Sequence, residues 1–379
     1  MSSKRIVLVA RSLQMGGIER NTITLANNLV EMGHDVHIVV YKKRPGLVPD
    51  PRVHIHYFDI DKINRITVIG LIYDLITRSL LAPWIYRSGF VWRGLYGSWY
   101  FRYLLRRLEK QFGAIDQVIM RGQGAFEMLW GLRDPRCFQV IVSPIDPPTY
   151  SWLDRWYTRL LFAGKNNICN STGVMESVQQ RLQAYGLSAR QVVVISNPIP
   201  IARIETLSQE AVTLPQRPFI VHVARLTFQK NQELLIRAYH AAKVEEDLVI
   251  IGSGQDRSKL EKLVTTLGLD GRVQFLGQLE NPYPWMRAAE LFVLSSRYEG
   301  FGLVMAEAHV CGTPVVAVDC PGGVRDVLIE EQTRLIAEPT VEGLAAKIRE
   351  ALTEPVVVKR EWVERFEAKK IASQFLQLS

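Results

Sequence analysis

The stretch Ser295-Ser-Arg-Tyr-Glu299-Gly300-Phe301-Gly302-Leu303-Val-Met-Ala-Glu307 places two carboxylates eight positions apart, around a pair of glycines. It follows the apolar run Leu291–Leu294, so it reads as a strand-end loop running into a helix. If that helix begins near Gly302, Glu307 lies about 7–8 Å along it, while Glu299 stays on the loop. The two cannot act as one acid–base pair. At roughly 100° per residue Glu307 falls between Leu303 and Val310 on the apolar stripe, where a carboxylate needs a partner such as a ribose diol. Glu299 precedes a helix start whose free N–H groups at Phe301–Leu303 would donate to phosphate or sugar oxygens, with Glu299 holding a sugar hydroxyl beside them. The plainer alternative is a capping carboxylate and a buried salt bridge.

Two cations follow another apolar run. Arg225 and Lys230 lie just after Phe219–Ala224, in a strand-to-helix connection. A pair of fixed cations suits a diphosphate, although solvated surface charge is the commoner fate of Lys and Arg. Near the start of the chain, Met15-Gly16-Gly17-Ile18-Glu19 sets two glycines at a helix start, where backbone N–H groups can approach an anion. Neither this loop nor Gly252-Ser-Gly254-Gln-Asp-Arg257 completes a G-x-G-x-x-G fingerprint, which argues against a nicotinamide dehydrogenase. Asp59-Ile-Asp61 has the spacing of a manganese-holding pair but reads as a turn. His54-x-His56 lacks a third ligand close in sequence, and no metal site is expected.

The elements that must position these residues are of one kind. Short apolar runs at Arg5–Ala10, Val36–Tyr41, Val53–Phe58, Asp116–Met120, Phe138–Val142, Asn167–Cys169 and Val192–Ile195 alternate with helix-period segments, beginning with Ile18–Met32. The periodicity lapses between Asn197-Pro198-Ile199-Pro200 and Pro215-Gln216-Arg217-Pro218, which places a domain boundary near residue 200 and the linker's end near 218. A second series then starts, with strands expected at Phe219–Ala224, Leu248–Ile251, Val273–Leu276, Leu291–Leu294 and Pro314–Val318. The fold class is α/β, with two doubly wound domains at 1–200 and 201–355. A helical segment at 356–379 could return to pack on the first domain. At 379 residues, 47% apolar and 22% charged, the chain is long enough for two cores and lies outside the disordered range. Four scattered cysteines and an N-terminal apolar run too short for a signal peptide lead us to expect a reducing, cytoplasmic setting.

The net charge of +8 is concentrated in one place. Residues 62–110 carry nine basic side chains, two acidic ones and ten aromatics, within an insertion spanning 62–112. Basic residues interleaved with aromatics suit either a nucleic-acid surface or a membrane interface. Ile66–Trp84 is apolar enough to raise a membrane span, but Asp74, Arg78 and Pro83 interrupt it, so an amphipathic surface is expected. Arg93, Arg102, Arg106, Arg107, Trp92 and Trp99 are the residues assigned to an anionic membrane surface. The alternative is helices that merely pack on the first domain. The second domain offers no matching nucleic-acid reader, and none is expected as a partner.

Taken together, Gly16-Gly17-x-Glu19, Ser196-Asn197-Pro198, His222-Val-Ala-Arg225 with Lys230-Asn231, Ile251-Gly-Ser-Gly254, Phe275-Leu-Gly277, Glu299-x7-Glu307 and Gly312-Thr-Pro314-Val-Val316 resemble the retaining glycosyltransferases of family 4. The resemblance covers most of residues 1–350 and implies the GT-B fold, two Rossmann-like domains facing across a cleft. It implies that Arg225 and Lys230 bind the diphosphate of a nucleotide-sugar donor and that the amides of Gly300, Phe301, Gly302 and Leu303 hold phosphate and sugar oxygens. Glu299 would contact the transferred sugar and Glu307 the ribose, with Gln278 and Leu279 near the base and Gly254 in the donor site. Gly16 and Gly17 would approach the diphosphate from the first domain. Retention of anomeric configuration is likewise an implication of the family, as is a reaction without a divalent metal or other cofactor. Family members commonly carry a histidine after a first-domain strand, where this chain reads Ser143-Pro144-Ile145-Asp146-Pro147. Asp146, with Arg121, is therefore assigned toward the acceptor. The expected activity is sugar transfer, UDP-sugar favoured and GDP-mannose close behind, to a lipid-linked saccharide at the inner face of the membrane, as in lipopolysaccharide, capsule or glycan assembly. A soluble acceptor and a nucleotide-sugar epimerase are the alternatives.

Overall fold

The computed structural model describes residues 3–14, 16–44, 46–80 and 88–378 and, within its helices, all side chains except those of residues 64–66, 73–74, 77–78, 80 and 88–92. The chain divides into two compact units. The first holds Met1–Asn170, Met175–Pro198 and Ala372–Ser379; the second holds Ser171–Val174 and Ile199–Ile371.

The first unit is built on seven parallel strands: β1 (Arg5–Ala10), β2 (Asp35–Val40), β3 (His54–Tyr57), β4 (Gln117–Arg121), β5 (Cys137–Ile141), β6 (Asn166–Cys169) and β7 (Gln191–Val194). Their order across the sheet is β3-β2-β1-β4-β5-β6-β7. The second unit has six: β8 (Phe219–Val223), β9 (Asp247–Ile251), β10 (Val273–Gly277), β11 (Leu291–Leu294), β12 (Val315–Val318) and β13 (Ile336–Ala337), ordered β10-β9-β8-β11-β12-β13. Central strands such as β1, β2 and β9 are apolar almost throughout because helices cover both faces of the sheet. In the second unit Phe219 and Val221 enter one core while Ile220 enters the other, and Phe292 and Leu294 part from Leu291 and Val293 in the same way, as the two-residue repeat of a strand requires. Strand order reverses between β1 and β4 in the first sheet and between β8 and β11 in the second. The loops leaving those strand pairs flank the crevice where open α/β sheets bind ligands.

Helix α1 (Gly17–Glu31) follows β1. The basic insertion forms α2 (Ile60–Ile66), α3 (Val68–Leu80) and α4 (Ser88–Phe112). Helix α4 has two faces. Phe101, Leu105 and Leu108 are buried, and Gly94 and Gly97 let the helix backbone close on residues 127–130, where a Cβ at Gly94 would lie 2.6 Å from Glu127 O and one at Gly97 2.6 Å from Met128 O. The glycines cost helix stability and gain that approach. The opposite face exposes Leu95, Trp99 and Tyr103. Downstream lie α5 (Gln123–Phe126), α6 (Trp152–Leu161) and α7 (Thr172–Ala184).

One expectation needs correction. The stretch from 200 to 218 is not a plain linker: it holds helix α8 (Ile201–Leu207), whose Ile201 and Ile204 are part of the second unit's core. Segment 356–379 divides: residues up to Ile371 belong to the second unit, while Ala372–Ser379 return to the first, where Gln117 Nε2 donates to Phe375 O.

Candidate functional site

Within the second unit the loops after β8 and β11 leave adjacent strands at the point of order reversal. A buried network fixes the first loop. His222 Nδ1 donates to Val293 O at 2.8 Å, which makes Nε2 the acceptor for Gln232 Nε2 at 3.1 Å, and the same Gln232 amide donates to Arg225 O at 2.9 Å. Burial pushes the His222 imidazole down to about 4, so it is neutral. The Arg225 backbone is thereby pinned while its side chain is exposed, with no protein partner among the described residues.

Lys230 and Glu299, 69 positions apart, form an ion pair: Lys230 Nζ donates to Glu299 Oε1 at 2.6 Å, with side-chain exposures of 15% and 7%. Ser296 Oγ donates to the same oxygen at 2.5 Å. Two donors on Oε1 offset the desolvation of a nearly buried carboxylate. Glu299 Oε2 has no protein partner among the described residues. The loops are further tied by Ser295 Oγ donating to Lys230 O and Arg297 N to Gln229 O.

Past Glu299 the backbone N–H groups of Gly300, Phe301, Gly302 and Leu303 have no protein acceptor among the described residues. They lie at the start of α12 (Leu303–Val310), which comes after α9 (Gln232–Ala242), α10 (Arg257–Thr266) and α11 (Tyr283–Ala288) and which Gly302 opens at φ +82°. The Phe301 side chain is no part of this surface: it is buried and meets Phe366 edge-on at 4.9 Å. The loop after β12 supports the arrangement. Glu299 N donates to Pro321 O, and Gly322, at φ +123°, comes so close that a Cβ would sit 1.7 Å from Glu299 O. Ser296, Gln232 and Pro321-Gly322-Gly323 were given no role from sequence; the doublet Gly322-Gly323 after an apolar run was the available signal.

The other expected donor residues are distributed around this centre. Glu307 is half-buried on α12 and accepts from Tyr283 OH at 3.3 Å. Gln278 is exposed after β10, where its Oε1 accepts from Ser253 Oγ, and Leu279 packs on the apolar core. Gly254 has a structural reason to be glycine, since a Cβ would lie 2.1 Å from Leu226 O.

The profile described as "Glycosyl transferases group 1" matches residues 204–369, and "Glycosyltransferase Family 4" matches 15–203. The chain belongs to the family 4-type glycosyltransferases. It is 34% identical over 169 residues, 45% of each chain, to N-acetylgalactosamine-N,N'-diacetylbacillosaminyl-diphospho-undecaprenol 4-alpha-N-acetylgalactosaminyltransferase of Campylobacter jejuni, so the match spans less than half of that relative. It is 29% identical over 261 residues to the lipopolysaccharide core biosynthesis glycosyltransferase LpsE of Rhizobium meliloti, covering 66% of this chain and 74% of the relative. Among solved structures it resembles Anabaena HepE in complex with UDP and glucose, at TM-score 0.68 and 19% identity, covering 99% of this chain and 98% of that one. Two parallel-sheet α/β units are the GT-B class.

The glycosyltransferase's first unit meets the sequence expectations less evenly. Gly16 and Gly17 stand at the N-terminus of α1; a Cβ at Gly17 would meet nothing within 4 Å, so that glycine answers to no protein neighbour. Asp146 is exposed after β5, where its carbonyl accepts from Arg181 Nη1. Arg121 requires correction. It is 2% exposed, its guanidinium lies over the Phe375 ring at 5.8 Å, and burial lowers its pKa to about 10, so it is not a surface group that an acceptor can reach.

The membrane-surface set of the glycosyltransferase also divides. Arg102, Arg106, Arg107 and Trp99 are exposed on α4, with Arg102 Nη2 also donating to Gly131 O. Arg93 instead pairs with Asp61 at 3.3 Å. The Trp92 side chain, like Trp84 and Arg87, lies outside the described residues. Asp59 caps α2 by accepting from Lys62 N, and His54 and His56 stack on His37 beside Phe112. Among the described residues no helix is long and apolar enough to cross a membrane.

Proposed function

We propose that this glycosyltransferase moves a sugar, with retention, from a nucleotide-sugar donor to a lipid-linked saccharide, and that UDP is the nucleotide. The observation that carries the reading is the group of four unpartnered amides at Gly300–Leu303 beside Arg225 and the Lys230–Glu299 pair. Cleaving a sugar–diphosphate bond develops negative charge on the leaving oxygen, and fixed cations with oriented N–H groups stabilise that charge without a metal. In this reading Arg225, Lys230 and the amides hold the diphosphate, Glu299 Oε2 accepts from a hydroxyl of the transferred sugar, and Glu307 holds the ribose. The acceptor oxygen attacks the anomeric carbon on the face the diphosphate leaves. The carbon–phosphate-oxygen bond breaks, and the acceptor's proton passes to the departing phosphate oxygen. Gly16 and Gly17 would present helix-start amides to substrate.

The named activity of the Campylobacter relative, which acts on a diphospho-undecaprenol, and the UDP bound to HepE support the choice of acceptor and nucleotide. Membrane contact is supported by α3, on which Val68, Ile69, Leu71, Ile72, Leu75 and Ile76 are each at least 48% exposed, close in sequence to the basic face of α4.

The test is a thermal-shift panel of UDP, GDP and ADP with their common sugar conjugates, since a ligand of the folded state raises Tm by mass action. A shift with the uridine series, lost in Arg225→Ala and Glu307→Ala, is the expected result. A shift with guanosine compounds alone would replace UDP by GDP-mannose, and no shift with any of them would refute the donor assignment.

A further inference from the structure

The first sheet repeats the order reversal of the second, between β1 and β4, and a cavity of about 440 Å³ lies over that edge. Its floor is set by two cations. Arg11 follows β1 and Lys42 follows β2; Lys42 N donates to Arg11 O at 3.0 Å, and both residues line the cavity. Gly124 allows Arg11 to lie along the wall, since a Cβ there would come within 3.3 Å of Arg11 Cδ.

Carboxylates stand on both flanks, and each already has a partner. On the β3 side Asp59 accepts from Lys62 N and Asp61 pairs with Arg93. On the β4 side Glu127 Oε1 accepts from Gln123 Nε2 at 2.6 Å and from Tyr157 OH at 3.3 Å. Arg11 and Lys42 therefore remain without a protein partner among the described residues. Two unpartnered cations side by side, between oriented carboxylates and a tyrosine hydroxyl, match a ligand with a phosphate at its centre and hydroxyl groups at its edges.

We infer that this cavity is a subsite for a phosphorylated saccharide: Arg11 and Lys42 bind the phosphate, while Asp61, Glu127 and Tyr157 bind ring hydroxyls. The inference rests on the glycosyltransferase reading above and specifies the chemistry of its acceptor. A saccharide carried on a lipid diphosphate and a soluble sugar phosphate share that chemistry, and the experiment separates them.

Full-length protein is titrated calorimetrically with glucose 1-phosphate, with farnesyl-diphosphate-linked N-acetylglucosamine and with methyl glucoside, in wild type, Arg11→Ala/Lys42→Ala, Arg225→Ala and Lys43→Ala. The expected result is binding of the two phosphorylated probes that weakens at least tenfold in Arg11→Ala/Lys42→Ala, persists in Arg225→Ala and is unchanged in Lys43→Ala, a cation outside the cavity. Methyl glucoside should bind at least tenfold more weakly than glucose 1-phosphate. Tighter binding of the farnesyl probe identifies a lipid-carried ligand, and equal binding a soluble one. The UDP-induced shift in Tm should show the reverse pattern, lost in Arg225→Ala and kept in the double variant, so failure of the donor reading is seen separately. No binding by wild type, binding that survives the double variant, or equal loss in Lys43→Ala would overturn the inference.

Discussion

Lys230 Nζ sits 2.6 Å from Glu299 Oε1, and that pair joins the loop after β8 to the loop after β11 across the point where strand order reverses. A nearly buried carboxylate held by an ammonium and a hydroxyl on one oxygen keeps its other oxygen available. The pair is thus both a brace and a binding group.

Breaking the brace from either side should have unequal effects. Lys230→Met leaves Glu299 charged and without its cation, which should cost roughly 3–5 kcal/mol of unfolding free energy. Glu299→Gln removes the charge but retains an acceptor, so the loss should be smaller, while transfer falls by about a hundredfold and the nucleotide-induced Tm shift persists. Denaturant unfolding and initial rates measure both, and equal destabilisation by the two variants would refute the arrangement.

Gly322→Ala should damage the site from behind. Its φ of +123° and the 1.7 Å approach to Glu299 O give the new Cβ no room, so the loop bearing Glu299 must shift. Activity should fall more than Tm alone accounts for. Gly186→Ala, at φ +61° with nothing within 4 Å, is the control: a modest loss of stability and unchanged turnover per folded molecule.

Binding to liposomes should have two separable components. Ile69→Glu/Leu75→Glu removes exposed apolar groups and should abolish the part of binding that resists salt. Arg102→Gln/Arg106→Gln/Arg107→Gln should remove the salt-sensitive part, at about 1 kcal/mol per charge on anionic vesicles. Cosedimentation at two ionic strengths distinguishes them. Binding untouched by both variants would refute membrane contact through this surface.

Stability should decline on acidification because of buried histidines, His222 and His309 among them. Burial lowers His222 to about 4 and His309 to about 3, against about 6.5 in the unfolded chain. Both are neutral in the folded state, so their contribution is complete above pH 6.5. It is lost as pH falls toward the folded values, because the unfolded chain binds the protons first. The slope approaches about 1.4 kcal/mol per pH unit for each histidine. His309→Leu, at a side chain whose Nδ1 has no partner among the described residues, should make the dependence shallower; an unchanged slope between pH 6 and 4 would count against it.

Much of this fold was legible in the sequence because strands covered on both faces are written as unbroken apolar runs. Twelve of the thirteen strands coincide with the expected stretches to within a residue or two, although β3 and β6 are polar at half their positions and β3 is largely exposed; the two-residue β13 is too short to leave a run. Helix α8 was hidden by the prolines at its start, and its amphipathic pattern spans only seven residues. The loop from Glu299 to Leu303 was readable because a helix start exposes N–H groups whatever surrounds it. Its pairing with Lys230 was not readable, since the partner lies 69 residues away. Arg121 was misjudged for the same kind of reason. A strand-end arginine looks available until Phe375 is placed over it.

That placement bears on how the chain is made. Gln117 Nε2 donates to Phe375 O and Leu378 O, and Lys4 Nζ donates to Leu376 O, so the first unit is completed by residues translated only after all of 199–371. During synthesis its sheet emerges with the seat for Phe375 open and Arg121 bare, while the second unit has its strands in hand and can fold first. The first unit is therefore discontinuous in sequence, and its sheet stays one packing element short until 372–378 have been made.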